Sequence, residues 1–146
     1  MKRNLRGMVV FAVMVTALSV AAPAFAGSGG TNRPFWASGS QACDADGCTG
    51  PGTATQLGRL TITSTGAGDV LTAANGDQIA ISLDWSTLQV DFPGVAPCPS
   101  TGFGARLDAA VTGGTGRFAN ASGAVKYIAC SSDEVHYTFF INGAIS

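Results

Sequence analysis

The stretch Thr112-Gly-Gly-Thr-Gly-Arg-Phe-Ala-Asn-Ala-Ser-Gly123 decides how this chain is read. Gly113, Gly114 and Gly116 admit positive φ at little steric cost, so all three are expected in a tight reversal of the backbone. Phe118 follows the reversal and is placed to insert from the turn into a core. The stretch sets a shape: it holds no nucleophile, no metal-ligand cluster and no phosphate cradle.

Working outward from this turn, the apolar residues alternate. Leu60 and Ile62 do so within Leu57–Thr65, Ile79, Ile81, Leu83 and Trp85 within Gln78–Phe92, and Val135, Tyr137, Phe139 and Ile141 near the C-terminus. Period two marks half-buried antiparallel strands. Extended segments are also expected at Gly104–Thr112 and Ala121–Ala129, on either side of the glycine-rich turn. Ala73-Ala-Asn-Gly-Asp77 predicts a hairpin over Asp69–Gln89, its Asn-Gly pair suiting a two-residue type I′ turn. Six or seven strands are thus assigned. A further one is expected around Phe35–Ala42 or from a break in Gln78–Phe92. No segment after Ala26 shows a helical stripe, so the chain is read as all-β, a sandwich or a closed barrel.

The N-terminus gives the compartment. Lys2, Arg3 and Arg6 precede an apolar run, Met8 to Ala22, and Ala24-Phe25-Ala26 fits a small-residue cleavage site. That pattern predicts a signal peptide over residues 1–26. Pro23 breaks the run short of the roughly 20 residues a spanning helix needs, so no membrane span is expected after cleavage. Residues 27–42 are read as a leader with a possible first strand, and 43–146 as one domain. Beyond residue 26, five scattered basic residues face nine acidic ones, a formal charge of −4. A chain so charged lacks the basic footprint of a nucleic-acid partner. Its expected destination is periplasmic or extracellular.

Four cysteines, Cys43, Cys48, Cys98 and Cys130, all lie in the part that would be exported. An even count in an exported chain predicts two disulfides with three possible connectivities, of which 43 to 48 with 98 to 130 is preferred. Zinc is disfavoured because the spacing lacks paired knuckles and His136 is the only histidine.

TAANGDQIAI (Thr72–Ile81), followed by TGGTGRFANASG and a closing FFINGAI (Phe139–Ile145), resembles bacterial exported proteins with an allene oxide cyclase barrel-like domain. Plant dirigent proteins belong to the same wider superfamily. The resemblance covers about three quarters of the chain beyond residue 26, from Leu57 to Ser146. It implies a calycin-like antiparallel barrel of about eight strands, often oligomeric, whose interior in the enzyme members holds a hydrophobic substrate. The shared motif is structural, and none of the family's substrate-handling residues maps onto a position here.

Three residues are candidates for chemistry. Asp84 faces solvent if Ile81, Leu83 and Trp85 point into the barrel, and points inward if that apolar set covers a subunit interface; buried, it would be an acid or base. His136, beside Asp133 and Glu134, is a candidate proton shuttle, against the commoner solvated role. Tyr137 neighbours it. Asp44-Ala-Asp-Gly47 is a fragment of a calcium loop without the rest of its ligand frame, and reads better as a disulfide-closed polar turn. Gly114-Thr-Gly-Arg-Phe-Ala119 matches a dinucleotide fingerprint in letters only, for no βαβ unit surrounds it. No cofactor is expected, and Arg117 is read as anchoring the turn. Trp85, Tyr127 or Phe140 gathered on the outside would favour a homo-oligomer. Two functions follow. The preferred one is non-catalytic binding of a small hydrophobic ligand, or a structural surface module. The alternative is a cyclase- or dirigent-like enzyme guiding isomerisation or coupling within the barrel.

Overall fold

The computed structural model describes residues 31–146; the signal peptide expected at 1–26 lies outside the described residues. Eight strands form one closed antiparallel barrel in which each strand pairs with its neighbours in sequence. They are β1 (Arg33–Cys43), β2 (Cys48–Ala54), β3 (Gly58–Thr65), β4 (Gly68–Ala73), β5 (Gln78–Asp91), β6 (Phe103–Gly114), β7 (Gly123–Ser131) and β8 (His136–Ile145). Closure comes from β1 against β8, a ladder running without a break from Arg33↔Ile145 to Ala42↔His136.

The strand expected around Phe35–Ala42 is β1, so the barrel begins at Arg33 rather than at residue 43. Gln78–Asp91 remains one strand, its register shifting between Asp84 and Gln89. Of the Asn75-Gly76 pair only Gly76 takes positive φ, at 89°. The hairpin is therefore a longer turn over residues 74–77 and not type I′. The cause is local: Asn75 Oδ1 accepts the amide of Asp77 and Asn75 Nδ2 donates to the Asp77 carboxylate, an arrangement that favours the ordinary backbone region.

Alternation then sorts every strand into an inner and an outer face. Phe35, Ile62, Leu71, Ile79, Val111, Phe139 and Ile141 are fully buried in the lumen. Phe139 fits because the wall opposite it is bare. A Cβ at Gly39 or at Gly52 would stand 2.8 Å from its ring. The end of the barrel where β1 begins and β8 finishes is stoppered by Phe118, Leu57 and Ala121, all part of the core.

The reversal that delivers Phe118 is shorter than the glycine-rich motif suggests. Gly113 and Gly114 are not turn residues: they close β6, opposite Ala80 and Ile79. Ile81 pairs with Val111 and Ala80 with Gly113, so Thr112 is the extra residue of a bulge. Gly113 absorbs that bulge with φ of 137°. Gly114 serves close approach instead, since a Cβ on it would stand 1.9 Å from the Gln78 carbonyl oxygen. The pair is thus glycine because of the neighbouring strand, and the turn begins only at Thr115.

Phe118 arrives in the stopper on a single 3-10 turn, Gly116–Phe118. Gly116 has φ of 58°, and a Cβ on it would meet Asp77 Oδ1 at 2.0 Å. Asp77 is held in place by Arg117, whose Nε is 3.0 Å from Oδ2. Arg117 also donates to the Gln56 carbonyl and lies over the Phe118 ring. This segment therefore joins three turns at one end of the barrel. Gly116→Val should destabilise the domain by about 2–4 kcal/mol through strain and loss of this ion pair. Gly58→Ala is the control: φ there is 69° but no atom lies within 4 Å of a new Cβ. Its cost should be about 1 kcal/mol, and equal denaturation midpoints for the two variants would refute the assignment.

At the opposite end Cys43 is bonded to Cys48 and Cys98 to Cys130, the preferred pairing. Inside the first loop Asp44 Oδ1 accepts the amides of Asp46 and Gly47, so the turn consumes its own carboxylate. The second bridge pins the loop after β5 to the outer face of β7. Separations of 5 and 32 residues predict unequal effects in the chain-entropy picture. Replacing Cys98 and Cys130 by Ser should cost about 4 kcal/mol, and replacing Cys43 and Cys48 about 2, a ranking that urea titration of the two double variants will check.

Candidate functional site

Four polar side chains meet inside the barrel: Gln41 from β1, Ser64 from β3, Asp69 from β4 and Tyr127 from β7. Ser64 and Asp69 are neighbours on adjacent strands, whereas the bonds that Gln41 makes to Ser64 and to Tyr127 join non-adjacent strands across the lumen. Ser64 Oγ donates to Gln41 Oε1 at 3.2 Å, and Gln41 Nε2 donates to the Tyr127 hydroxyl at 3.4 Å. Asp69 pairs with Ser64 across β3–β4 and with Ile81 across β4–β5, and shares its face with Leu71 and Ala73.

Asp69 is 2% exposed, and neither of its carboxylate oxygens has a hydrogen-bond partner. Burial pushes its carboxyl up to about 6, although the nearby Ser64 and Tyr127 hydroxyls pull the other way. Tyr127 is pushed far above the ordinary phenol range, first by burial and then by the Asp69 charge. It stays a neutral hydroxyl donor, whereas Asp69 can gain or lose a proton close to neutrality. An acid poised there beside a fixed phenol is suited to hydrogen bonding and to proton transfer.

Past this polar layer, towards the disulfide end, the residues turn apolar again. Leu83 and Ala129 are half-buried against the core. Val90 pairs with Ala105 on the inward side of β6, and Phe103 pairs with Ser131, which in turn pairs with Tyr137. The Phe92, Phe103 and Tyr137 rings form a chain, with centroids 5.5 and 6.1 Å apart. Phe92 is 71% exposed, and Trp85, Leu88 and Val95 are also exposed. One end of the barrel is stoppered; the other carries an apolar, aromatic rim above a buried acid.

The three sequence candidates do not converge on this site. Asp84 lies on the outer face and is exposed, since Ile81 and Leu83 point inward. Its carboxylate accepts from the Ser86 amide and hydroxyl, holding the irregular turn of β5. His136 is exposed, with Nδ1 2.8 Å from Asp133 Oδ2. Bonds from His136 hold the Asp133 carboxyl well below the usual range. Tyr137 alone reaches the rim: it is half-buried, its hydroxyl donates to the Glu134 carbonyl, and burial raises it above the ordinary phenol range. Tyr127, which would favour an oligomer only if it lay in an outer patch, is in the lumen, because β7 turns Val125, Tyr127 and Ala129 inward.

A hollow of about 690 Å³ lies on the barrel's outside among Ser38, Ser40, Thr53, Arg59, Thr138 and Phe140. It is broad and open, and it holds none of the buried polar groups. No family model, curated protein or solved structure matches this chain.

The acid makes stability depend on pH. Between about pH 4 and 6 the folded protein keeps a proton on Asp69 that the unfolded chain has released, so this contribution is lost as pH rises through the folded value. The loss should be on the order of 3 kcal/mol. Asp69→Asn should remove that descending limb and raise the melting temperature above pH 7. The difference between variant and wild type also cancels Asp133, whose lowered value acts in the opposite direction as pH falls through its range. Parallel melting curves across pH 4–8 would show that Asp69 does not titrate there.

Proposed function

We propose that this is an exported barrel that binds a small, largely apolar molecule at its open end, the rim holding the body of the ligand and the polar layer reading one end of it. The observation that carries this is the pairing of an unpartnered, buried carboxylate with an aromatic rim on the same side of the barrel. A purely structural module has no use for either, whereas ligand sites are mostly apolar surfaces with a few placed polar groups. The two disulfides are compatible with export. Resemblance to the allene oxide cyclase-like proteins supports the same site, since it implies a barrel interior that meets hydrophobic molecules.

The second reading is an isomerising or coupling enzyme of that kind, favoured by Asp69 facing Tyr127. Asp69 would be its acid or base, and the Tyr127 hydroxyl the donor that stabilises a developing oxyanion. Substrate turnover, absent from Asp69→Asn, would separate it from binding alone.

A Trp36→Phe variant leaves Trp85 as the only tryptophan. Trp85 emission in that variant should be quenched by energy transfer to N-phenyl-1-naphthylamine, and Phe103→Glu should abolish the transfer. Thr53→Glu, in the outer hollow, should not. Loss of transfer on changing Thr53 while Phe103→Glu still binds would move the site outside the barrel.

A further inference from the structure

We infer that the ligand of this barrel is a lipophilic amine, whose ammonium group pairs with Asp69 while its hydrocarbon body lies along the aromatic rim. The inference rests on the open-end site proposed above and names the chemistry that site selects.

Among the described residues, every cation is on the outside. Arg106 is paired with Asp91, Lys126 with Asp108 and Arg117 with Asp77, while Arg33 and Arg59 are exposed. None reaches the lumen. What faces Asp69 is Ser64 from β3, Ile81 from β5, Gln41 from β1 and, as the only titratable neighbour, Tyr127 from β7. Ser64 gives its hydroxyl proton to Gln41 Oε1 and Gln41 Nε2 donates to Tyr127 Oη, so the Tyr127 hydroxyl is the neutral donor left facing Asp69. Neither carboxylate oxygen has a hydrogen-bond partner, and the groups around it are neutral.

An isolated buried carboxylate is costly, and it is relieved by a proton or by a cation. The described residues supply no cation to it, so an ionised Asp69 calls for one from a ligand. A neutral alcohol offers a donor, but a hydrogen bond between two charged groups is roughly twice as strong. A carboxylate ligand would repel it. The rim agrees with this choice, because Phe92, Phe103 and Tyr137 carry ring faces that attract cations as well as hydrocarbon.

Calorimetric titration of the oxidised protein with octylamine, octanol and octanoate tests this. Octylamine should bind about ten-fold more tightly than octanol at about pH 8, the difference expected when a charge pair replaces a neutral hydrogen bond. Octanoate should bind most weakly. The amine's advantage should vanish in Asp69→Asn. It should vanish also in the wild type at about pH 5, where Asp69 holds its own proton while the amine is still charged. Equal affinities for amine and alcohol, or an amine preference that survives Asp69→Asn, would overturn the inference and leave an apolar site standing. If none of the three binds and N-phenyl-1-naphthylamine does not either, the open-end site itself is refuted, and the inference with it.

Discussion

The β1–β8 ladder is the constraint on which the rest depends. Once Arg33–Ala42 pairs with His136–Ile145, the sheet has no free edge, and each strand has one face in the lumen and one outside. Every later property is then a matter of parity. The same ladder brings Gln41 opposite Tyr137, so it also aligns the polar layer with the rim above it. A slip of one residue along β1 would replace Phe35, Ala37 and Gln41 in the lumen by their outer-face neighbours, and the core and the site would be lost together.

Parity also explains which parts of the site are legible in the sequence. Asp84 stands out because it interrupts a run of apolar residues, yet that interruption is what an outward position in a half-buried strand looks like. Asp69 passes unremarked because β4 is ambiguous. Val70 and Leu71 are both apolar, and only when Leu71 is known to point inward do Asp69 and Ala73 go with it. The usable signal is Asp69 standing two residues before the strand's largest apolar side chain. Tyr127 suffers the same ambiguity, since Val125, Tyr127 and Ala129 alternate with Lys126 and Ile128. One lysine is the clue to the outer face.

For the fold itself, the strands with strong alternation and the existence of the glycine-rich turn can be placed from sequence, whereas β2 cannot. Cys-Thr-Gly-Pro-Gly-Thr-Ala is a poor strand by propensity, since glycine and proline weaken isolated strands. Its reason for being there is tertiary. Gly52, together with Gly39 on β1, leaves the hollow that the Phe139 ring fills, so β2 is specified by a side chain on another strand. The same holds for Gly113 and Gly114, which read as turn residues until β5 is laid against them. Local rules fail at such places because the information is not local.

The remaining tension is between stability and the buried acid. Ser64, Gln41 and Tyr127 are joined by two hydrogen bonds; Asp69 adds to them two oxygens without a hydrogen-bond partner, with the Tyr127 hydroxyl as the neutral donor nearby. An asparagine or a leucine would fill the same space without a charge to bury, at lower free-energy cost. A carboxylate in such a position lowers the stability of the empty barrel at neutral pH, and the two disulfides and the packed stopper around Phe118 are what the fold has to offset it. The penalty falls on one end of the lumen only, below a rim of exposed rings that is itself unfavourable in water. Two unfavourable features at one place, with the Phe118 stopper at the other end, are the physical basis on which the proposed ligand site rests.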